Sequence, residues 1–194
     1  MPALDFYFDY RSPYAYLAQT QVRRLGLDAS YHPVDLRKLM QEVGNVATSI
    51  TCKPKNRYVM ADLLRWVRDY GVAFQLHPQS AQIDSRRLLR ATLAAAEMGK
   101  GPQAVGAIFD ALWRFATPLS TPENVAAVLS GVGLDRAALL AAIDTPELDE
   151  ALDQSTAAAI ERGVFGAPTM FVDDEMFFGN DRLDFVRRRM GVAA

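Results

Sequence analysis

Ser12 is the residue in this chain best placed to do chemistry. It follows an apolar, aromatic run, Leu4–Tyr10, and precedes Pro13. The run reads as a buried strand. Ser12-Pro13 reads as a helix N-cap with proline at the first helical position, and Tyr14, Tyr16, Leu17, Gln21 and Leu25 permit a helix that ends near Gly26. Ser12 thus stands where a strand stops and a helix starts. A helix N-terminus presents unpaired N–H groups and roughly half a positive charge, so it favours an anion and lowers the pKa of a thiol held there. Ser12 can cap the helix or donate a hydrogen bond to such an anion. A serine nucleophile needs a base beside it, and the sequence names none convincingly.

Other reactive groups are few. The single cysteine, Cys52, makes no internal disulfide, and with only His32 and His77 to help it forms no metal cluster.

The elements that must position Ser12 come from both ends of the chain. After the first helix, Ala29–Val34 is a strand candidate, which makes a βαβ unit with parallel strands. Asp35 can cap a helix from Leu36 to about Val43, and Gly44–Lys55 reads as a long loop. From Arg57 nearly everything is helical: Arg57–Tyr70 ended by Gly71, a helix capped by Asp84 or Ser85, one opened by Pro102 and running through Trp113, one started by Thr121-Pro122, a short one at Asp135, and one from Thr145-Pro146 to Arg162-Gly163. Then Ala167–Val172 and Glu175–Phe178 form a hairpin across Asp173-Asp174, and a last helix runs from about Asp181, a candidate cap, to Arg189. The ends supply βαβ and ββα. They share one mixed sheet only if the helical block is an insertion between them.

The 194 residues fit one compact unit or one domain with a large insertion, and half are hydrophobic. A net charge of -2 argues against nucleic-acid binding. No run of about 18 apolar residues predicts a membrane span. The start of the chain lacks a secretory pattern, so a cytoplasmic protein is expected.

The pattern resembles a DsbA-like thioredoxin fold. Phe8–Ala18 resembles the opening of 2-hydroxychromene-2-carboxylate isomerases and kappa-class glutathione transferases. Gly163–Thr169, Phe178–Leu183, and Lys55-Asn56-Arg57-Tyr58 with Asp62-Leu63 and Arg65-Trp66 are similar to three further signatures. The implied fold is an α/β thioredoxin-like mixed sheet, residues 1–54 and 164–194, with an inserted all-helical domain, 55–163. The slot where a thioredoxin-type oxidoreductase carries two cysteines is Ser12-Pro13-Tyr14-Ala15 here, so the protein brings no dithiol of its own. Any thiol must come from a ligand, and the resemblance implies glutathione. Ser12 then stabilises its thiolate. Ala167-Pro168 is implied to be cis and to offer the Ala167 backbone to the cysteinyl part, Asn180 and Asp181 to hold the γ-glutamyl end, and Lys55 to meet a carboxylate. Asn45 resembles the asparagine of the same loop in kappa transferases, although its spacing to Lys55 is one residue longer.

The implied reaction interconverts 2-hydroxychromene-2-carboxylate and trans-o-hydroxybenzylidenepyruvate: addition of a thiolate, rotation about the former double bond, departure. Tyr10, Arg11, Tyr14, Tyr16 and Trp66 are candidates to line a pocket for the small aromatic acid, each with core or surface as its competing role. A kappa-like transferase and a non-catalytic binding module on the same scaffold are the alternatives. Relatives are commonly homodimers.

Overall fold

The structure, a computed structural model, describes residues 2–192, apart from the side chains of residues 49 and 50. Four strands form one sheet in the order β2-β1-β3-β4: β1 is Leu4–Phe8, β2 Ala29–Pro33, β3 Thr169–Val172 and β4 Glu175–Phe178. β1 pairs in parallel with β2 (Leu4 opposite Ala29) and antiparallel with β3 (Leu4 opposite Val172). β3 and β4 make the expected hairpin.

β1 lies at the centre because both its faces find apolar cover, as alternation along a strand allows. Leu4, Phe6 and Phe8 enter the main core with helix α1 (Pro13–Arg24), α5 (Ser85–Glu97) and α6 (Gly101–Phe109). Tyr7 points the other way, into a smaller cluster with Val34, Leu39, Ala159, Val164 and Phe171. Each fully buried aromatic ring of this kind contributes about 1.5–3 kcal/mol of transfer free energy, which fixes the strand and hence the turn that follows it.

The remaining helices are α2 (Leu36–Glu42), α3 (Thr48–Thr51), α4 (Lys53–Tyr70), α7 (Pro122–Ser130), α8 (Arg136–Ala142), α9 (Pro146–Glu161) and α10 (Leu183–Arg189). Side-chain caps on Ser12, Asp35, Asp84, Thr121, Asp135 and Thr145 start six of the helices. Among the described residues no helix is long and apolar enough to cross a membrane.

Several boundaries differ from expectation. β1 ends at Phe8, because the Ser12 amide donates to the Asp9 carbonyl at 3.0 Å and turns the chain. The loop after α2 contains α3, and α4 begins at Lys53, four residues before Arg57, since Pro54 falls in a first turn whose N–H groups need no helical partner. The helix opened by Pro102 is α-helical only to Phe109; Asp110–Arg114 then widens, with the Phe115 amide reaching back to the Asp110 carbonyl. β3 begins at Thr169, because the Pro168 ring leaves no N–H for the sheet. Asp181 is not a helix cap. It lies inside a 3-10 turn, Asn180–Arg182, after Gly179 at φ 99°, and α10 starts without a side-chain cap.

Candidate functional site

Ser12 is 7% exposed, with the extended backbone of an N-cap. Its Oγ accepts from the Ala15 amide at 3.1 Å and donates to the Ala167 carbonyl at 3.1 Å. One hydroxyl thus ties the tip of α1 to a residue 155 positions away. The Ala167-Pro168 bond is cis. Among the described residues the half-buried Ala167 N–H has no hydrogen-bond partner. The first turn of α1 carries no acidic residue to oppose an anion.

The loop before Ala167 is held from two sides. The Asn45 amide donates to the Phe165 carbonyl at 2.8 Å. Gly166 lies against Phe178, where a Cβ would come within 2.8 Å of the ring, so only glycine fits without a shift. Lys55 projects from the first turn of α4 and donates to the Thr48 hydroxyl. Asn180 is buried; its carbonyl accepts from the Tyr70 hydroxyl at 3.1 Å and its amide leans on the same oxygen at 3.4 Å. Asp181 is exposed and paired with Arg182 at 2.6 Å.

Of the five candidate pocket residues, the structure gives two to the core. Tyr10 has no exposed surface and shares a 2.6 Å hydrogen bond with Thr92; Tyr16 is 1% exposed and donates to the Ala73 carbonyl at 2.6 Å. Burial drives both phenols above their ordinary pKa. Their rings pack in the core, and each residue also borders a surface cleft, Tyr10 beside Arg11 and Tyr16 beside Arg23. Tyr14 is half-buried and donates to Asp62 at 3.0 Å; burial and then the Asp62 carboxylate raise its pKa, so it stays a neutral donor. Trp66 is half-buried with its ring centre 5.2 Å from that of Tyr70.

Arg11 belongs to an ion network. Its guanidinium meets Asp9 at 2.7 Å and Asp35 at 3.0 Å. The Asp9 carboxylate is fully buried and also accepts from the Arg11 amide (2.9 Å), the Leu36 amide (3.0 Å) and the Ser85 hydroxyl (2.6 Å). Asp35 continues to Arg86 at 3.0 Å, and Arg86 to Asp149 and Asp153. Burial works against charge on Arg11, but Asp9 and then Asp35 outweigh it and hold its pKa above the ordinary value. Sequence reasoning gave Asp9 no role. Its one signal was a carboxylate between Phe8 and Tyr10, three residues before Ser12. Asp62 and Tyr70, which carry Tyr14 and Asn180, were also missed as site residues; Asp62 stood in a matched motif without a task.

The described residues hold no group of three or more His, Cys, Asp or Glu able to bind a metal. What the arrangement offers is a hydroxyl at a cationic helix tip and an adjoining backbone N–H, with an asparagine amide bracing the same loop through Phe165. That set suits a peptide-like ligand carrying an anionic atom.

Comparison with known proteins gives the family. Residues 3–191 match the family model described as a DSBA-like thioredoxin domain. A 2-hydroxychromene-2-carboxylate isomerase from Pseudomonas putida is 35% identical over 193 residues, 97% of this chain and 94% of that protein. The solved structure of a selenomethionine 2-hydroxychromene-2-carboxylate isomerase superimposes with a TM-score of 0.88 at 34% identity, covering 97% of this chain and 94% of that one. A kappa 2 glutathione S-transferase from Caenorhabditis elegans is 24% identical over 197 residues, 93% of this chain and 88% of that protein.

Proposed function

The chain belongs to the 2-hydroxychromene-2-carboxylate isomerase family, built on the DSBA-like thioredoxin domain, and from that premise we propose that it interconverts 2-hydroxychromene-2-carboxylate and trans-o-hydroxybenzylidenepyruvate with glutathione as cofactor. It is an isomerase, and its relatives include a protein named for glutathione. The observation that carries the glutathione part is the Ser12 hydroxyl, held at the tip of α1 against Ala167 where most thioredoxin-type sites need a thiol.

Bound there, glutathione supplies a sulfur that adds to a conjugated acid and leaves again. The chain's own residues do the rest. Ser12 redirects its proton from the Ala167 carbonyl to the sulfur anion, while Ala15 keeps the oxygen oriented. The helix tip adds its partial charge, so the thiol ionises at a lower pH than in water. The unpaired Ala167 N–H and its carbonyl, once Ser12 turns away, receive the cysteinyl backbone as an added strand, with Pro168 closing the turn. The exposed Asp181 carboxylate exchanges Arg182 for the γ-glutamyl ammonium, beside Asn180. Lys55 takes a carboxylate, and Asn45 acts through Phe165 by holding the Ala167 loop. The division into a thioredoxin-like part, 1–54 and 164–194, and a helical part, 55–163, belongs to this reading, as do a homodimer and a cytoplasmic setting.

The test mixes protein, glutathione and the chromene acid and follows the ultraviolet spectrum. We expect conversion with glutathione recovered unchanged, no conversion without it, and about a hundred-fold loss in Ser12→Ala, the size seen when one donor to a developing anion is removed. Accumulating conjugate would make the protein a transferase instead, and full activity in Ser12→Ala would refute the role given to that hydroxyl.

A further inference from the structure

A cleft of about 640 Å³ is lined by Arg11, the residue before Ser12, together with residues that follow β2 and residues of the helical block. Of the pocket candidates, Tyr10 and Arg11 line it. One wall is apolar: Leu76, Ile83, Leu112 and Trp113. The indole is fixed there, since its Nε1 donates to the Tyr10 carbonyl at 2.9 Å and its ring stacks on Phe74 with centres 5.6 Å apart and planes 11° from parallel. Leu76 stands at 59% exposure, a large apolar side chain kept in water. Charged side chains also line it: Arg11, Arg37 and Arg86 with Asp35 and Asp84. Arg11 and Arg86 both close on Asp35, and Arg86 also meets two aspartates of α9. The Arg37 guanidinium has no ion-pair or hydrogen-bond partner among the described residues.

A flat, rigid indole sharing a cleft with an unpartnered guanidinium matches one kind of guest, a planar aromatic ring bearing a carboxylate. Offset stacking accounts for the ring, and a fork of N–H donors for the acid. The volume admits a bicyclic acid with room for water. The place is also right. Trp113 is tied to Tyr10, Arg11 lines the cleft, and Ser12 is the next residue in the chain.

We propose that this cleft receives the aromatic acid, ring on Trp113 and carboxylate on Arg37, and that the sulfur is approached from the Arg11 side of Ser12, not from the Tyr14 and Trp66 side. The proposal rests on the isomerase reading for its substrate.

The chain has two tryptophans, Trp66 and Trp113, which makes the question optical. Chromone-2-carboxylate, a stable planar bicyclic acid, is titrated into Trp66→Phe and Trp113→Phe while tryptophan emission is followed. Saturable quenching in Trp66→Phe, absent in Trp113→Phe, is expected. Quenching that survives only where Trp66 remains would overturn the proposal. Arg37 is exposed, so Arg37→Gln leaves the fold intact. It should raise KM for the chromene acid roughly ten-fold, the loss of one charge-assisted contact, with KM for glutathione and kcat within about two-fold. An unchanged KM for the acid would also overturn it. If the unaltered protein turned over no chromene acid yet Trp113 were still quenched, the isomerase reading would fall and the cleft would stand as an aromatic-acid site.

Discussion

Ser12 has two unlike flanks. On one side lies α4, 18 residues long with Leu63 as its one fully buried residue; Tyr58, Met60 and Leu64 stand in water, and the Tyr14–Asp62 hydrogen bond holds it to α1. On the other side lies Asp9, its carboxylate wholly enclosed and bonded to β1's own turn, to α2 and to α5, with Asp35 and Arg86 extending the network to α9. A network of this kind gives little net stability, because desolvation cancels most of the attraction, but losing one member is costly. The contrast teaches a division of labour. The Asp9 flank fixes where Ser12 sits, and the α4 flank leaves the ligand's side adaptable.

The largest effect that can break this comparison is on Asp9. Asp9→Ala should cost about 3 kcal/mol or more in urea unfolding, because two amides, a hydroxyl and a guanidinium lose a buried acceptor together. Asp9→Asn keeps an acceptor and should cost clearly less. A near-neutral Asp9→Ala would mean that the two flanks are equally forgiving.

Acid should reveal the same asymmetry more gently. Asp35 is held below the ordinary carboxylate value of 3.8: burial opposes its charge, but Arg86, the Lys38 amide and Arg11 outweigh burial. Arg86 and then Arg90 lower Asp149, and Lys38 and Arg86 lower Asp153. Groups of lowered pKa stabilise the fold fully above their unfolded value and lose that contribution as pH falls through the folded one. Thermal midpoints should therefore stay level from about pH 7 to 5 and drop below about pH 4. In Arg86→Leu the drop should be shallower, and an identical acid profile would remove the network from the account.

The smallest stability effect belongs to α4. Lys55→Ala should change unfolding by less than about 0.5 kcal/mol, as exposed substitutions do, while KM for glutathione rises about three- to ten-fold, the loss of one exposed ionic contact. A stability loss comparable to Asp9→Ala would erase the distinction between the flanks.

Much of this was legible because it is local. The apolar, aromatic run Leu4–Tyr10 marked the central strand, and the serine, threonine and aspartate caps marked helix starts, since each signal needs only a few neighbouring residues. What failed needed distant partners. Asp9 finds Ser85 76 residues on, which no local pattern records. Tyr10 and Tyr16 sit in an aromatic run, and an aromatic run looks the same whether it faces a guest or a core. Asp181 had the right residue type for a cap, but Gly179 at positive φ sends the chain into a 3-10 turn first. The Arg37–Trp113 cleft joins residues 76 positions apart and was invisible for the same reason.

The sheet order has a consequence for how the protein is made. β1 emerges well before its antiparallel neighbour β3, and Ser12 waits for Ala167. At translation speeds of about 5–20 residues per second, that gap of 155 residues is roughly eight to thirty seconds. Throughout it the nascent chain carries a capped helix and no completed groove. Its chemistry switches on only once the hairpin has left the ribosome and paired with a strand made long before it.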